Sequence, residues 1–159
     1  MTLVFLGNSA LRRVSKSVAD VRAPAVRRLF EELEKEVRVE AGVGIAAPQL
    51  AHNLQATTRD FEGCLSVPGY QGIVRRANMI RVQYDDLKGR KIQKTLNDFP
   101  ARIFQHELDH LNGVMYLDRM EVGSLIHNEE FEAMEWLDVQ KLLLQDPPAI
   151  PPLVNATNE

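Results

Sequence analysis

The pentapeptide His106-Glu107-Leu108-Asp109-His110 is the feature that most constrains this chain. Side chains four residues apart lie on the same face of an α-helix, so both imidazoles can reach one metal ion. The carboxylate of Glu107 can then contact a water molecule on the metal instead of the metal itself. This arrangement is typical of zinc-hydrolase sites. The alternative is a helix that carries two solvent-exposed histidines and no ligand.

The flanking residues predict a helix around this pentapeptide. Asn97 or Asp98 can cap its start, and Pro100 suits a first helical turn. Gly113 suits the position just after a last turn, so we expect the helix to run to about Asn112. The two histidines would therefore lie in the second half of one helix.

A third metal ligand has to come from elsewhere in the chain. Cys64 is the only cysteine, and it lies in EGCLSVP at 62–68, a segment unlike a plain buried strand. A thiolate is a strong donor for Zn²⁺ and Fe²⁺, and a Cys/His/His set leaves the fourth position open to water, as in catalytic sites. The alternative is an inert, buried cysteine. We expect His52 and His127 to be exposed or capping groups.

Periodicity and turn residues predict the remaining elements. Apolar residues at helical spacing indicate helices over Ala23–Glu40 and Asn128–Gln145. Alternation of apolar and polar residues indicates paired strands at Met79–Asp85 and Lys91–Leu96, joined by a turn that contains Gly89. The less regular segments are a polar loop at His52–Asp60, a turn at Pro68–Gly69 and a short strand at Gly72–Arg76. Together these elements indicate an α+β fold: antiparallel strands packed around a central metal-binding HExxH helix, with an N-terminal and a C-terminal helix.

Length and composition limit the class of protein. The chain has 159 residues, 45% of them hydrophobic, and a formal net charge of −3. These values are typical of a soluble globular domain, and the slightly acidic balance argues against binding nucleic acid through its phosphates. No apolar run approaches the roughly 20 residues that a membrane span needs. One cysteine excludes an internal disulfide. We expect a single domain over residues 1–145 and a flexible Pro-rich tail over 146–159.

Three segments together are more specific than the histidine motif alone. They are GVGIAAPQ at 42–49, EGCLS at 62–66 and QHELDH at 105–110, the last continuing through HLNGVMYLDRM. In this combination and order, the chain resembles the peptide deformylase family from Leu11 to Met120. The resemblance implies a hydrolase that removes the N-formyl group from the initiator methionine of new polypeptides.

The resemblance also implies a role for individual residues. The implied metal ligands are Cys64, His106 and His110, with Glu107 as the general acid and base. The side-chain amide of Gln49 and the backbone N–H of Leu65 would stabilise the oxyanion. Val43 and Gly44 would flank the substrate, and the methionine pocket would lie near Val43, Leu65 and Ile103.

Cofactor, partners and location follow from the same resemblance. It implies one divalent metal ion, Fe²⁺ first, with Zn²⁺, Ni²⁺ or Co²⁺ as replacements. An N-formyl-methionyl peptide is the expected substrate, and a transient encounter with the ribosome is a further expectation. The acidic composition of the predicted C-terminal helix opposes contact with ribosomal RNA, so we expect no direct binding of nucleic acid. We also expect no membrane contact. A bacterial-type cytoplasmic location is expected, with an organelle stroma or matrix as the alternative.

One segment departs from the family pattern. Only 12 residues separate Gln49 from Glu62, whereas relatives carry roughly two additional strands and their turn here. A shortened natural variant, an engineered or spliced chain and an incomplete sequence are all compatible with this departure. It also leaves two alternatives to the deformylase: an inactive deformylase-like binding protein and, with less support, an HExxH metallopeptidase.

Overall fold

The computed structural model describes residues 4–39 and 50–145 of the chain. These residues form a mixed α+β structure with one antiparallel sheet. In chain order, the helices and strands are α1 Pro24–Val39, β1 Leu50–Cys64, β2 Val67–Asp85, β3 Lys91–Asn97, α2 Asp98–Leu111, β4 Ile126–His127, α3 Asn128–Glu132 and α4 Trp136–Leu144. Among the described residues, no helix is both long enough and apolar enough to cross a bilayer.

Strand β2 is the centre of the sheet. It pairs antiparallel with β1 on one side and β3 on the other, and the short strand β4 pairs with its first part. The predicted short strand at Gly72–Arg76 and the predicted strand at Met79–Asp85 are therefore one continuous strand. The hairpin between β2 and β3 is confirmed, with Ile80 opposite Leu96.

The prediction of a polar loop at His52–Asp60 is wrong, because these residues belong to β1. Their backbone pairs with residues 74–81 in the middle of β2, where Asp60 lies opposite Val74. A partner strand satisfies the backbone hydrogen bonds of β1 whatever its own side chains are, so the lack of an apolar period did not prevent a strand.

The predicted turn at Pro68–Gly69 is also misplaced. The tight turn between β1 and β2 lies at residues 65–66, directly after Cys64. Gly69 lies within β2 and has a φ of +81°, the left-handed region that favours glycine. A glycine signal was present here, but it marks an irregularity in a strand rather than the turn.

Within residues 4–39 and 50–145, two groups of buried side chains form the core. One group lies where β2 meets the segment after α2, and consists of Val67, Val74, Met115 and Tyr116. The other joins β2 to α2, and consists of Ala77, Ile80, Val82 and Ala101. The second group fixes α2 against the sheet, and that contact determines where the histidines of α2 lie.

The helix predictions are confirmed in part. Helix α1 lies where it was predicted, and α2 begins at Asp98 and ends before Gly113, as expected. The single helix predicted over Asn128–Gln145 is wrong, since it is divided into α3 and α4 with Glu135 in an extended conformation between them. The tail prediction for 146–159 lies outside the described residues.

Candidate metal centre

Cys64, His106 and His110 converge although they come from two different elements. Cys64 is the last residue of β1, and both histidines lie on α2. The Nε2 atoms of the two histidines are 3.1 Å apart, and Sγ of Cys64 is 3.3 Å from Nε2 of His110. One ligand atom from each residue lies within 4.8 Å of the others. This donor set fits a single divalent ion and leaves a fourth tetrahedral position free.

Hydrogen bonds position α2 over the sheet. The amide of Gln105 accepts from the backbone N–H of Ala77 at 3.1 Å and donates to its carbonyl at 3.0 Å. It also donates to the carbonyl of Ala101, one turn earlier in α2. Ala77 lies at a shift in the pairing of β2 with β1. The side chain of the residue before His106 thus links the helix to the irregular point of the central strand.

Glu62 orients the first histidine. Oε2 of Glu62 lies 3.2 Å from Nδ1 of His106. Burial alone would raise the pKa of Glu62, but hydrogen bonds from His106 and Arg76 lower the pKa to about 2. An ionised carboxylate can only accept, so Nδ1 of His106 carries the proton and Nε2 faces the other two ligands. A carboxylate in this position is the usual support of a metal-binding histidine.

The neighbouring imidazoles favour the thiolate form of Cys64. Burial acts to raise its pKa, but hydrogen bonds with His106 and His110 outweigh burial and lower the pKa to about 6. The thiolate is the form that binds a metal ion, and it dominates here near neutral pH. The alternative of an inert, buried cysteine does not fit these contacts.

Two buried arginines balance the carboxylates around the site. Arg76 and Arg102 both donate to Glu62, at 2.7 to 3.0 Å. Arg76 also donates to Asp109, and so does Arg119. Sequence reasoning missed this network. Arg76 and Asp109 are among the buried charges of this network. The sequence shows both residues, Arg76 on β2 and Asp109 inside the histidine motif, but their burial cannot be read from sequence alone.

The structure describes some of the other predicted site residues and not others. Glu107 is half-buried on α2, and burial raises the pKa of its carboxyl group. Leu65 is in the tight turn directly after Cys64, and Ile103 is half-buried on α2. His127 caps α3 by accepting from the backbone N–H of Glu129, as expected for a residue outside the ligand set. The predicted residues Val43, Gly44 and Gln49 lie outside the described residues, and so does the side chain of His52.

Comparison with known proteins agrees with this geometry. A sequence model of the family described as "Polypeptide deformylase" matches residues 1–61 and 53–124. The chain belongs to the polypeptide deformylase family. It is therefore an enzyme, a metal-dependent hydrolase that removes the N-formyl group from the N-terminal formyl-methionine of new polypeptides.

Individual deformylases match most of the chain. Peptide deformylase 2 of Nostoc is 33% identical over an alignment that covers 84% of this chain and 94% of the relative. Peptide deformylase 1 of Streptomyces coelicolor is 32% identical and covers 80% of this chain and 77% of the relative. The crystal structure of a Synechococcus elongatus deformylase in complex with actinonin matches with a TM-score of 0.72 at 28% identity, and covers 77% of this chain and 79% of that one.

The family model matches this chain in two stretches that meet near the short segment between Gln49 and Glu62. The two stretches matched by the family model overlap at residues 53–61 of this chain. The alignment with the Nostoc deformylase is 168 residues long, which is longer than the part of this chain that it covers. The relative therefore has residues with no counterpart in this chain.

Proposed function

We propose that this chain performs deformylation at a metal centre formed by Cys64, His106 and His110. The observation that carries the proposal is the convergence of these three donors from β1 and α2 within 4.8 Å of one another. A thiol on β1 and two imidazoles on α2 have no structural need to lie close together, whereas the binding of a divalent ion requires their ligand atoms to converge. Fe²⁺ is the proposed ion on the resemblance to the family, with Zn²⁺, Ni²⁺ or Co²⁺ as replacements, since a thiolate and two imidazoles suit several divalent ions.

Proton transfer is assigned to Glu107. Cys64, His106 and His110 would hold the divalent ion, which when bound would lower the pKa of water and so supply a nucleophile near neutral pH. The carboxylate of Glu107 takes a proton from the water molecule whose oxygen adds to the formyl carbon. Glu107 then gives that proton to the amine nitrogen as the C–N bond breaks, which releases formate and the free N-terminus.

Two hydrogen-bond donors are proposed for the developing oxyanion. They are the backbone N–H of Leu65, which follows Cys64 in the tight turn, and the side-chain amide of Gln49. Each such donor is worth roughly 3 kcal/mol of transition-state stabilisation in comparable sites. Val43 and Gly44 are proposed to flank the peptide, and Ile103 to line the methionine pocket. Residues 1–145 are proposed to form the single catalytic domain.

The proposed setting is the cytoplasm, where formylated chains are made. The substrate is the N-terminal formyl-methionine of a new polypeptide, and a transient encounter with the ribosome would bring the enzyme to it. The first turn of helix α3 carries Glu129 and Glu130. Any such encounter would therefore use another surface, since ribosomal RNA repels carboxylates.

Replacement of Cys64 tests the centre directly. Cys64→Ala and the control His127→Ala should both be purified, reconstituted with Fe²⁺ or Zn²⁺, and analysed for bound metal and for hydrolysis of a formyl-methionyl peptide. We expect Cys64→Ala to lose the metal and the activity, and His127→Ala to keep both. Full metal occupancy in Cys64→Ala would overturn the ligand assignment.

A further inference from the structure

Three side chains, two acidic and one basic, form a continuous buried connection from β1 to α2. Nε and Nη2 of Arg76 donate to the two carboxylate oxygens of Glu62 at 3.0 and 2.9 Å. Nη1 of Arg76 donates to Oδ2 of Asp109 at 2.5 Å. All three side chains are more than nine-tenths buried. We refer to these three residues as the Glu62–Arg76–Asp109 clamp.

Each end of the clamp lies next to a proposed metal ligand. Glu62 is two residues before Cys64 on β1, and it contacts His106 on α2. Asp109 directly precedes His110. Arg76 is on the central strand β2, and its side chain lies between the two carboxylates. The clamp therefore ties together the two elements that carry the thiol and the imidazoles.

We propose that Arg76 is a positioning residue for the metal centre. By binding both carboxylates it sets the distance between Cys64 and the two histidines, and it holds Glu62 where it accepts the Nδ1–H of His106. This inference rests on the proposed function, because it needs Cys64, His106 and His110 to be the ligands.

A purely structural role for Arg76 makes a different prediction. A buried ion network is weak evidence for stability, because apolar residues of similar volume often replace one without loss. If Arg76 only filled the core, its removal would lower stability and leave metal affinity unchanged. Arg59 provides a matched comparison. It is a partly buried arginine on β1 that pairs with Glu121 and donates to the carbonyl of Leu143, and neither partner is a proposed ligand.

The experiment compares Arg76→Met with Arg59→Met in the full chain. The affinity of each metal-free protein for Zn²⁺ is measured by competition with a chelator, and the Nδ1–H resonance of His106 is followed by NMR in the Zn²⁺-loaded protein. We expect Arg76→Met to bind Zn²⁺ about 10- to 100-fold more weakly, as for other residues that support metal ligands. We expect Arg59→Met to stay within about twofold, since its partner Glu121 is not part of the clamp.

The spectroscopic result separates positioning from packing. The Nδ1–H resonance should persist in Arg59→Met and disappear through faster exchange in Arg76→Met. Arg76→Lys should recover stability more than affinity, because an ammonium group cannot bind both carboxylates with fixed geometry. If Arg76→Met does not fold, Asp109→Asn breaks the clamp at its α2 end only, and should weaken Zn²⁺ binding in the same direction.

Two results would overturn the inference. One is Zn²⁺ affinity in Arg76→Met, or in Asp109→Asn, equal to that of Arg59→Met with the His106 resonance intact. The other is retention of metal by Cys64→Ala, which would overturn the ligand assignment and the clamp's role together. Loss of metal in Cys64→Ala with full affinity in Arg76→Met would overturn only the clamp.

Discussion

Nδ1 of His106 lies 3.2 Å from Oε2 of Glu62, so a carboxylate on β1 fixes an imidazole on α2. The contact joins residues 44 positions apart in sequence. It directs Nε2 of His106 toward His110 and Cys64, and it lets the sheet rather than the helix alone determine the geometry of the site. Substitutions in this region should therefore distinguish the residues that bind the metal, the residue that carries the proton and the residues that position the ligands.

Glu107→Gln should retain the metal and lose most turnover. A glutamine at this position would keep the shape of the side chain but could not carry a proton, and general acid–base roles are worth about 10²- to 10⁴-fold in rate. Bound metal and hydrolysis of a formyl-methionyl peptide are measured on the same sample. The exposed control Glu130→Gln should match the unmodified enzyme. An unchanged rate in Glu107→Gln with full metal would remove Glu107 from the mechanism.

An iron-loaded enzyme should lose activity in air faster than a zinc- or nickel-loaded one. Fe²⁺ and the thiolate of Cys64 can both be oxidised, whereas Zn²⁺ has no redox chemistry under these conditions. Activity is followed over time in air and under argon for each form. Equal lifetimes in air for all three metals would contradict Fe²⁺ as the native ion.

Ile80→Ala should destabilise the protein by about 2–5 kcal/mol. Ile80 is completely buried where β2 packs on α2, so the substitution leaves a cavity in the layer that supports the histidines. The free energy of unfolding is measured with urea. Met79→Ala is the control on the same strand, and it should cost far less because Met79 is 41% exposed. Similar losses in the two variants would show that this layer is not the core.

Gly113→Ala should cost more stability than Gly123→Ala. Both glycines have a positive φ, +72° and +79°, so alanine at either position carries a strain of roughly 1–2 kcal/mol. At Gly113 a Cβ would also lie 2.6 Å from the carbonyl oxygen of Arg12, whereas nothing lies within 4 Å at Gly123. Thermal unfolding midpoints compare the two variants. Equal midpoints would show that the backbone at Arg12 moves away from the added Cβ without loss of stability.

The amino-acid sequence determined those features that depend on neighbouring residues. The 3.6-residue period predicted α1, and Pro100 and Gly113 defined the ends of α2. Alternation around Gly89 predicted the β2–β3 hairpin. The spacing of His106 and His110 placed both imidazoles on one helical face, and the single thiol in EGCLS identified Cys64 as their partner.

Only the tertiary structure decided features that depend on partners distant in sequence. Residues 52–60 have no strand period of their own, and they become part of β1 because β2 offers backbone hydrogen-bond partners on both sides of the register shift between Leu54 and Thr57. The predicted C-terminal helix is divided into α3 and α4, and each half contacts β1. Phe131 of α3 packs on Phe61, and Arg59 donates to the carbonyl of Leu143 in α4.

The network around the ligands is of the same kind. Glu62, Arg76 and Asp109 look like surface charges in the sequence, since charged residues are mostly exposed. Their burial, and hence their strong mutual interaction, arises only when β1, β2 and α2 pack together. The sequence therefore sufficed to name the candidate ligands, the two histidines by their spacing and Cys64 as the single thiol, whereas the charged groups around them could be identified only from the packed structure.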